Sequence, residues 1–330
     1  MKHWWKFLAV ALLLTASIAG LRVPLAPDLV HVSPDRIAPG EITVTVTGYN
    51  TDFTADERVF LENDGQRVCA TSVRVIDGTH LTASFNVPTG MRKNLTDVVV
   101  SGLRYDGALF TEALGEGIAS GNCVEGHLAN SGFVFPNRPI LYESIRNLHF
   151  HVPMWFAMIT LMAISVVFSI MTLATNSLRY DGSAVNAVYV GLVFCSLGLI
   201  TGAIWARATW GAFWTNDVKL NGAAVTALIY LAYLVLRGSV PDAHKRARLA
   251  AIYNIFAFVL LVLFLFVVPR LNAVDSLHPG NGGNSPFSDL DLDKRLRMVF
   301  YPAVLGWILL GVWMFNLRDR AARLAEQLDR

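Results

Sequence analysis

Six runs of apolar residues constrain the fold of this chain more than any other feature, because a helix of about 20 residues crosses a hydrocarbon core about 30 Å thick. The first run, Phe7 to Leu21, is short for a span. The other five cover Val152 to Leu173, Ala184 to Trp205, Leu220 to Leu236, Leu249 to Val268 and Met298 to Leu317. Hydrophobic residues make up 54% of the chain and charged residues 16%, which excludes an ordinary soluble domain. The sequence therefore predicts a polytopic α-helical membrane protein with six spans.

The first apolar run has two interpretations. Trp4 and Trp5 suit an anchor at the membrane interface, whereas the small residues Ser17 and Ala19 would permit cleavage as a signal peptide. We interpret residues 1–24 as a retained N-terminal anchor helix. Both interpretations export the segment that follows.

Residues 25–146 have a different pattern, with short β-branched runs that alternate at period 2 and are separated by turn residues. This pattern predicts an extracytoplasmic, all-β, immunoglobulin-like sandwich of about seven antiparallel strands. The stretch from VSPDRIAPGEITVTVTGYN to FNVPTG resembles the IPT/TIG modules. No cluster of catalytic side chains occurs in it. Cys69 and Cys123 both fall in this segment, and their spacing leaves open whether they pair or remain thiols.

Residues 147–330 are predicted to form a five-helix membrane domain with a cytoplasmic C-terminal tail. Basic residues collect in alternate connections and at both termini, which places those segments in the cytoplasm by the positive-inside rule. They are Lys2, Lys6, Arg179, Arg237, Lys245, Arg246, Arg248, Arg318, Arg320, Arg323 and Arg330. The last outer segment also contains basic residues, so the bias is a tendency. A net charge of +2 with no basic face argues against a nucleic-acid partner.

The stretch Thr201 to Leu220 contains three Trp, at positions 205, 210 and 214, between two apolar runs. One interpretation is an interfacial aromatic belt. The density of indoles, together with Asp217 and Lys219, favours a platform for a flat aromatic ligand at the outer membrane face.

Three histidines are predicted near the same face: His149 and His151 before the second span, and His278 in the last outer segment. Two imidazoles could occupy both axial positions of a heme iron, and the indoles could cover the porphyrin. Zinc is less favoured, because neither Cys nor carboxylate stands at ligand spacing beside these histidines. The alternative is that they merely end helices at the interface.

Four motifs in this order resemble the CcmC-type heme exporter protein C, within the wider cytochrome c assembly (WWD) family. They are His151-Val152-Pro153, Thr201-Gly202-Ala203-Ile204-Trp205, Trp210-Gly211-Ala212-Phe213-Trp214-Thr215-Asn216-Asp217 and Leu277-His278. The resemblance implies axial heme ligation by His151 and His278. It implies further heme-site residues at Trp205, Trp210, Gly211, Trp214, Asp217 and Lys219.

The chain departs from the family pattern at two loop positions. Asn216 stands where the family has a further Trp, and Lys219 where an Arg is expected, so a point charge replaces a bidentate fork. The inserted sandwich is also unusual for the family.

The resemblance implies a non-enzymatic protein of the bacterial inner membrane that binds b-type heme transiently at the periplasmic face. Its expected partners are a periplasmic heme chaperone, ABC transporter subunits, a small membrane subunit and membrane lipid. No GxxxxGK[ST] motif occurs, so ATP hydrolysis would belong to a partner.

Two other classes of function remain open from the residues alone. A b-type cytochrome that transfers electrons would place histidine pairs within facing helices, and no such intramembrane pair is evident in the sequence. A membrane-anchored receptor with a ligand-binding sandwich would explain the inserted domain but neither the Trp-rich stretch nor the histidines.

Overall fold

The computed structural model describes residues 3–63, 66–88, 95–111, 123, 126, 132–138, 140–271, 276–278 and 292–328. The chain divides into two compact units, one made of Met1–Val23 and Arg138–Arg330 and the other of Pro24–Asn137. The second unit ends before the predicted boundary at residue 146. The reason is that Tyr142–Asn147 form a 3-10 helix that leads directly into the next long helix.

The first unit is helical. Its long helices are α1 (Trp4–Arg22), α2 (Leu148–Thr175), α3 (Leu178–Trp210), α4 (Val218–Ser239), α5 (Ala243–Val262) and α6 (Lys294–Leu328). A π-helical turn, Leu263–Val267, and a 3-10 turn, Val268–Arg270, continue α5. Six helical segments in the described part of the chain are long and apolar enough to cross a membrane. The predicted polytopic helical protein with an inserted β domain is thereby confirmed.

The helices extend further than the apolar runs, because polar residues continue them beyond the hydrocarbon core. Asp217 caps the start of α4 by accepting hydrogen bonds from the backbone of Lys219 and Leu220, and Asp242 caps α5 through the backbone N–H of Lys245. Gly211 ends α3 with φ +80°, a left-handed conformation that glycine adopts without strain.

Helix α2 packs against α3, α5 and α6, and α1 packs against α6. Small residues allow the close approaches, as is usual where helices pack in lipid. A Cβ atom at Gly191 of α3 would lie 2.8 Å from Met162 Cε of α2, and one at Gly306 of α6 would lie 3.1 Å from Leu13 of α1. The first predicted span thus packs within the bundle.

Charged and polar side chains join three helices at one end of the bundle. Arg237 near the end of α4 donates to both carboxylate oxygens of Asp181 near the start of α3, at 2.5 and 2.8 Å. Asp319 of α6 accepts from Ser183 Oγ at 2.9 Å and from Asn186 Nδ2 at 3.3 Å, both on α3. The Asp181–Arg237 pair is largely buried, so removing one partner would leave the other charge uncompensated.

Replacing Arg237 by Leu should therefore destabilise the helical unit by about 3–5 kcal/mol, whereas the double variant Asp181→Leu/Arg237→Leu should recover much of that loss. Thermal unfolding of the purified protein in one detergent would measure both. A double variant no more stable than Arg237→Leu would contradict the interpretation that an unpaired buried carboxylate causes the loss.

The second unit is a two-sheet β structure. Its strands are β1 (Asp28–Ser33), β2 (Arg36–Ile37), β3 (Gly40–Tyr49), β4 (Val59–Asn63), β5 (Gln66–Cys69), β6 (Ser72–Asp77), β7 (His80–Val87), β8 (Leu95–Val100) and β9 (Leu103–Thr111). The sheet orders are β1-β3-β7-β6 and β2-β9-β8-β4-β5. Among the described strands, all pairings are antiparallel except that of β2 with β9. The sequence predicted about seven strands and missed short ones such as β2, which has two residues and no alternation to detect.

Alternate residues of the strands from both sheets form one apolar core, as the period-2 pattern predicted. Val44 and Val46 of β3 and Leu81 of β7 meet Leu61 of β4 and Val98 of β8 in this core. The open question about the cysteines has an answer in the structure: Cys69 and Cys123 form a disulfide across 54 residues, and Cys195 is a buried free thiol in α3.

Candidate functional site

The two histidines near the start of α2 contact different helices. Two residues along an α-helix are separated by about 200° around its axis, so neighbouring side chains at this spacing point to opposite sides. The ring of His149 is buried against Gly20 of α1, where a Cβ atom would lie 3.2 Å from His149 Cδ2. His151 faces α3 instead. The structure therefore separates the two histidines, and His151 is the one beside the Trp-bearing helix.

His151 is seated between indoles and a glycine. Its ring meets Trp155 and Trp205 edge-on, with centroids 6.2 and 5.8 Å apart. A Cβ atom at Gly202 would lie 2.7 Å from His151 Cε1, closer than side chains can approach. The imidazole thus occupies space that is available only because residue 202 has no side chain.

A hydrogen bond assigns the tautomer of His151. Thr201 Oγ1 lies 3.1 Å from His151 Nδ1, and the same hydroxyl donates its proton to the carbonyl of Leu197 at 2.8 Å. Since that proton is committed, the hydroxyl oxygen accepts from Nδ1–H of His151. We therefore assign the lone pair of the neutral ring to Nε2.

The 3-10 helix before α2 is tied to the same part of α3. Asn147 Nδ2 donates to the Thr201 carbonyl at 3.0 Å, and Trp205 Nε1 donates to Ser144 Oγ at 3.1 Å. These bonds set where α2 begins relative to α3. Trp205 therefore contacts the predicted ligand His151 and supports the segment that carries it.

The loop between α3 and α4 carries the remaining aromatic residues. Trp214 is 46% exposed, and its indole N–H lies 3.3 Å from Asn221 Oδ1. Asn221 in turn donates to Asn216 Oδ1 at 2.8 Å, so the residue that replaces the family's Trp helps to hold the loop. Lys219 is half-buried in the first turn of α4.

Asp217 connects this loop to the distant segment that contains His278. One carboxylate oxygen, Oδ2, accepts from Ser276 Oγ at 2.7 Å and from the Leu277 backbone N–H at 2.8 Å. The other, Oδ1, lies 3.0 Å from His278 Nδ1. The ring of His278 also meets Trp210 edge-on, with centroids 5.1 Å apart. The Asp217 carboxylate and the Trp210 ring thus both contact His278, and all three residues were predicted for the site from the sequence.

Asp217 is only 3% exposed. Burial by itself would raise its pKa, but hydrogen bonds from His278, Ser276 and Leu277 outweigh burial and hold the pKa well below its usual range. Asp217 is therefore a buried anion at neutral pH. Its position beside His278 Nδ1 is the arrangement in which a carboxylate orients an imidazole that binds a metal.

The two histidines contact the same end of α3. His151 lies against Gly202 and Trp205 of this helix, and His278 meets Trp210, its last residue. The structure therefore gathers the ends of α2, α3 and α4 and residues 276–278 into one site. Trp205 and His151 lie on one part of it, Trp210, Asp217 and His278 on another, while Gly211 sets the turn that joins α3 to the loop.

A match to a family model decides the family of this chain. The model for heme exporter protein C covers residues 123–329, more than half of the chain, and includes every site residue described above. The chain belongs to the heme exporter protein C family. Most of the β unit lies outside the matched region, so this family member carries an additional β domain.

Heme exporter and cytochrome c biogenesis proteins from several bacteria are similar to this chain in sequence. Heme exporter protein C of Bradyrhizobium diazoefficiens is 30% identical over 174 residues, which cover 51% of this chain and 63% of the relative. That of Rhodobacter capsulatus is 28% identical over 206 residues, or 60% of this chain and 81% of the relative. Cytochrome c biogenesis protein CcsA of Prochlorococcus marinus is 39% identical over 93 residues, or 28% and 29%. The chain thus spans less than two thirds of the Bradyrhizobium protein.

Several roles in this family member's site could not be found from the sequence. Thr201 and Gly202 belong to a recognised motif, but their contacts with His151 cross 50 residues and leave no local signal. Asp217 precedes an apolar run, which is a recognisable N-cap pattern. Its bonds to Ser276, Leu277 and His278 had no comparable signal.

Gly202→Ala should destabilise the helical unit by about 1–3 kcal/mol, because the added methyl group overpacks the seat of His151. Gly182→Ala is the matched control in the same helix, since a Cβ atom there would meet nothing within 4 Å. The control should be neutral or stabilising by about 0.5–1 kcal/mol through helix propensity. Thermal unfolding in detergent measures both, and equal effects of the two substitutions would contradict the steric argument.

Proposed function

We propose that this chain binds b-type heme between His151 and His278 and handles it during cytochrome c maturation. The observation that carries the proposal is the set of hydrogen bonds between Asp217 and Ser276, Leu277 and His278. These bonds hold His278 against Trp210 at the end of α3, and His151 contacts Trp205 of the same helix. Two imidazoles from distant segments thus lie against one indole-bearing helix end.

The side chains present suit heme. Both rings bind protein through Nδ1. We assign coordination of the iron to Nε2 of each ring. Two imidazoles complete the coordination of an iron whose other four ligands come from a porphyrin. Trp210 and Trp214 could cover the porphyrin faces, and Lys219 or the exposed Arg270 could meet a propionate.

The names of the relatives agree with this chemistry. Those proteins are called heme exporter protein C and cytochrome c biogenesis protein CcsA. By extension, we propose that this chain is a transport or assembly component and not an enzyme. It would deliver heme to a periplasmic heme chaperone and work with ABC transporter subunits and a small membrane subunit.

The distribution of charge supports a site at the periplasmic face of the inner membrane. The site lies where α2 begins, α3 ends and α4 begins. The Asp181–Arg237 pair and the Asp319 network lie where α3 begins and where α4 and α6 end, together with the basic residues expected in the cytoplasm. The β unit, inserted between α1 and α2, would be exported, as the sequence predicts.

The ligand assignment predicts different spectra for different substitutions. His151→Ala and His278→Ala should each replace a bis-His heme spectrum by that of a five-coordinate or water-ligated iron, and added imidazole should restore it. Trp214→Ala should weaken heme binding by about 1–3 kcal/mol and leave the bis-His spectrum intact. Absorption spectra and heme content of the purified full-length variants measure these effects.

His244→Ala serves as the control, because this exposed histidine lies in the first turn of α5, at the opposite end of the bundle. Its heme content and spectrum should match those of the unsubstituted protein. Bis-His spectra in both the His151 and His278 variants would refute the assignment. A protein that binds no heme in any form would refute the proposed function itself.

The proposed location predicts the redox state of the cysteines in cells. If the β unit is exported, Cys69 and Cys123 should be joined, since disulfides persist in oxidising compartments. Alkylation of the denatured protein without reductant should then label one of its three cysteines, and none in a Cys195→Ser variant. Labelling of all three in freshly lysed cells would place the β unit in a reducing compartment.

A further inference from the structure

The supports of the two histidines differ in charge. His278 Nδ1 is bonded to the carboxylate of Asp217, which is buried. His151 Nδ1 is bonded to the hydroxyl of Thr201, a neutral group. The two rings of the same candidate site therefore differ in their hydrogen-bond acceptor, which is charged for His278 and neutral for His151.

An anionic partner strengthens an imidazole as a ligand. A carboxylate that accepts from Nδ1–H raises the basicity of the ring and makes Nε2 a better donor to a metal. Hydrogen bonds to an ionised group are roughly twice as strong as those between neutral groups, and burial increases the difference. His278 should bind iron more tightly than His151 for this reason alone.

The backbone around His278 is held by the same carboxylate. Asp217 binds Ser276 and Leu277 through one oxygen and caps α4 through the other. Its position is therefore determined by a helix terminus as well as by the histidine. His151 is positioned by α2, by the neutral Thr201 contact and by the space beside Gly202.

We propose, on the basis of the proposed function, that His278 is the retained heme ligand and His151 is the ligand exchanged when heme is passed on. His151 Nε2 would be the nitrogen that gives way to a donor from the acceptor. One lone pair would replace another, so the exchange would need neither an oxidant nor a reductant. His151 remains neutral, with its proton on Nδ1 against Thr201.

Unequal strength of iron binding by His278 and His151 would meet two requirements of a protein that carries heme. Heme must stay bound until an acceptor arrives, which the His278–Asp217 pair would ensure. It must then leave without both iron–nitrogen bonds breaking at once. A weaker second ligand lets an acceptor replace one bond while the other still holds the iron.

The first test compares the two histidine variants for retention, not for spectrum alone. Full-length His151→Ala and His278→Ala proteins in detergent are loaded with hemin, and excess apomyoglobin then takes up the heme that dissociates. We expect dissociation about 10–100-fold faster from His278→Ala than from His151→Ala. Equal rates, or the reverse order, would overturn the inference.

The second test removes the charge of Asp217 while keeping an N-cap oxygen. Asp217→Asn should speed heme dissociation by about 10–100-fold and raise the reduction potential of the bound heme, because the ring loses its anionic partner. Thr201→Val should change both quantities much less. A merely structural role of Asp217 would leave the potential unchanged.

Asp242→Asn is the matched control, since Asp242 caps α5 as Asp217 caps α4 and lies away from the site. It should leave both the dissociation rate and the potential unchanged. If Asp217→Asn shifts neither quantity, the inference fails although the proposed function stands. If the unsubstituted protein binds no heme, the proposed function fails with it. Should Asp217→Asn not fold, the ordering of the two histidine variants decides.

Discussion

The carboxylate of Asp217 is the interaction on which the site depends. It is almost fully buried, and an isolated charge there would be costly. The cost is offset because both oxygens accept hydrogen bonds, from the start of α4 on one side and from residues 276–278 on the other. The same group therefore begins a membrane helix, orders a segment about sixty residues away and orients an imidazole. A ligand that binds His278 also depends on how α4 starts.

The membrane explains why the remaining contacts take the form they do. Helices in lipid approach each other closely where their residues are small. At Gly202 the small residue lets an imidazole ring, and not a second helix backbone, approach α3 closely. Its missing side chain lets the imidazole of His151 lie against α3, with Thr201 beside it. His149, two residues earlier, points to α1 and packs on Gly20 by the same rule. Two histidines only two positions apart thus acquire different environments from helix geometry alone.

The sequence predicted the spans, the inserted β domain and the family, because each rests on local properties. Apolar length identifies a membrane helix, and period-2 alternation identifies a strand with one buried face. Contacts between distant residues were beyond this reasoning. The Cys69–Cys123 bond, the gap at Gly202 and the link from Asp217 to His278 join residues separated by about fifty positions or more. Their partners become visible only when the strands and the helices are packed. The short strand β2 was missed because two residues show no period.

Helices α3 and α4 connect the site to the opposite end of the bundle. Thr201 and Gly202, which seat His151, lie near the end of α3, and Asp217, which holds His278, begins α4. The same two helices are joined at their other ends by the Asp181–Arg237 pair. A change in the packing of α3 against α4 would therefore move the two imidazoles relative to each other. Since an iron between them would need both nitrogens at bonding distance, the charged pair at the far end constrains the site through the helices themselves.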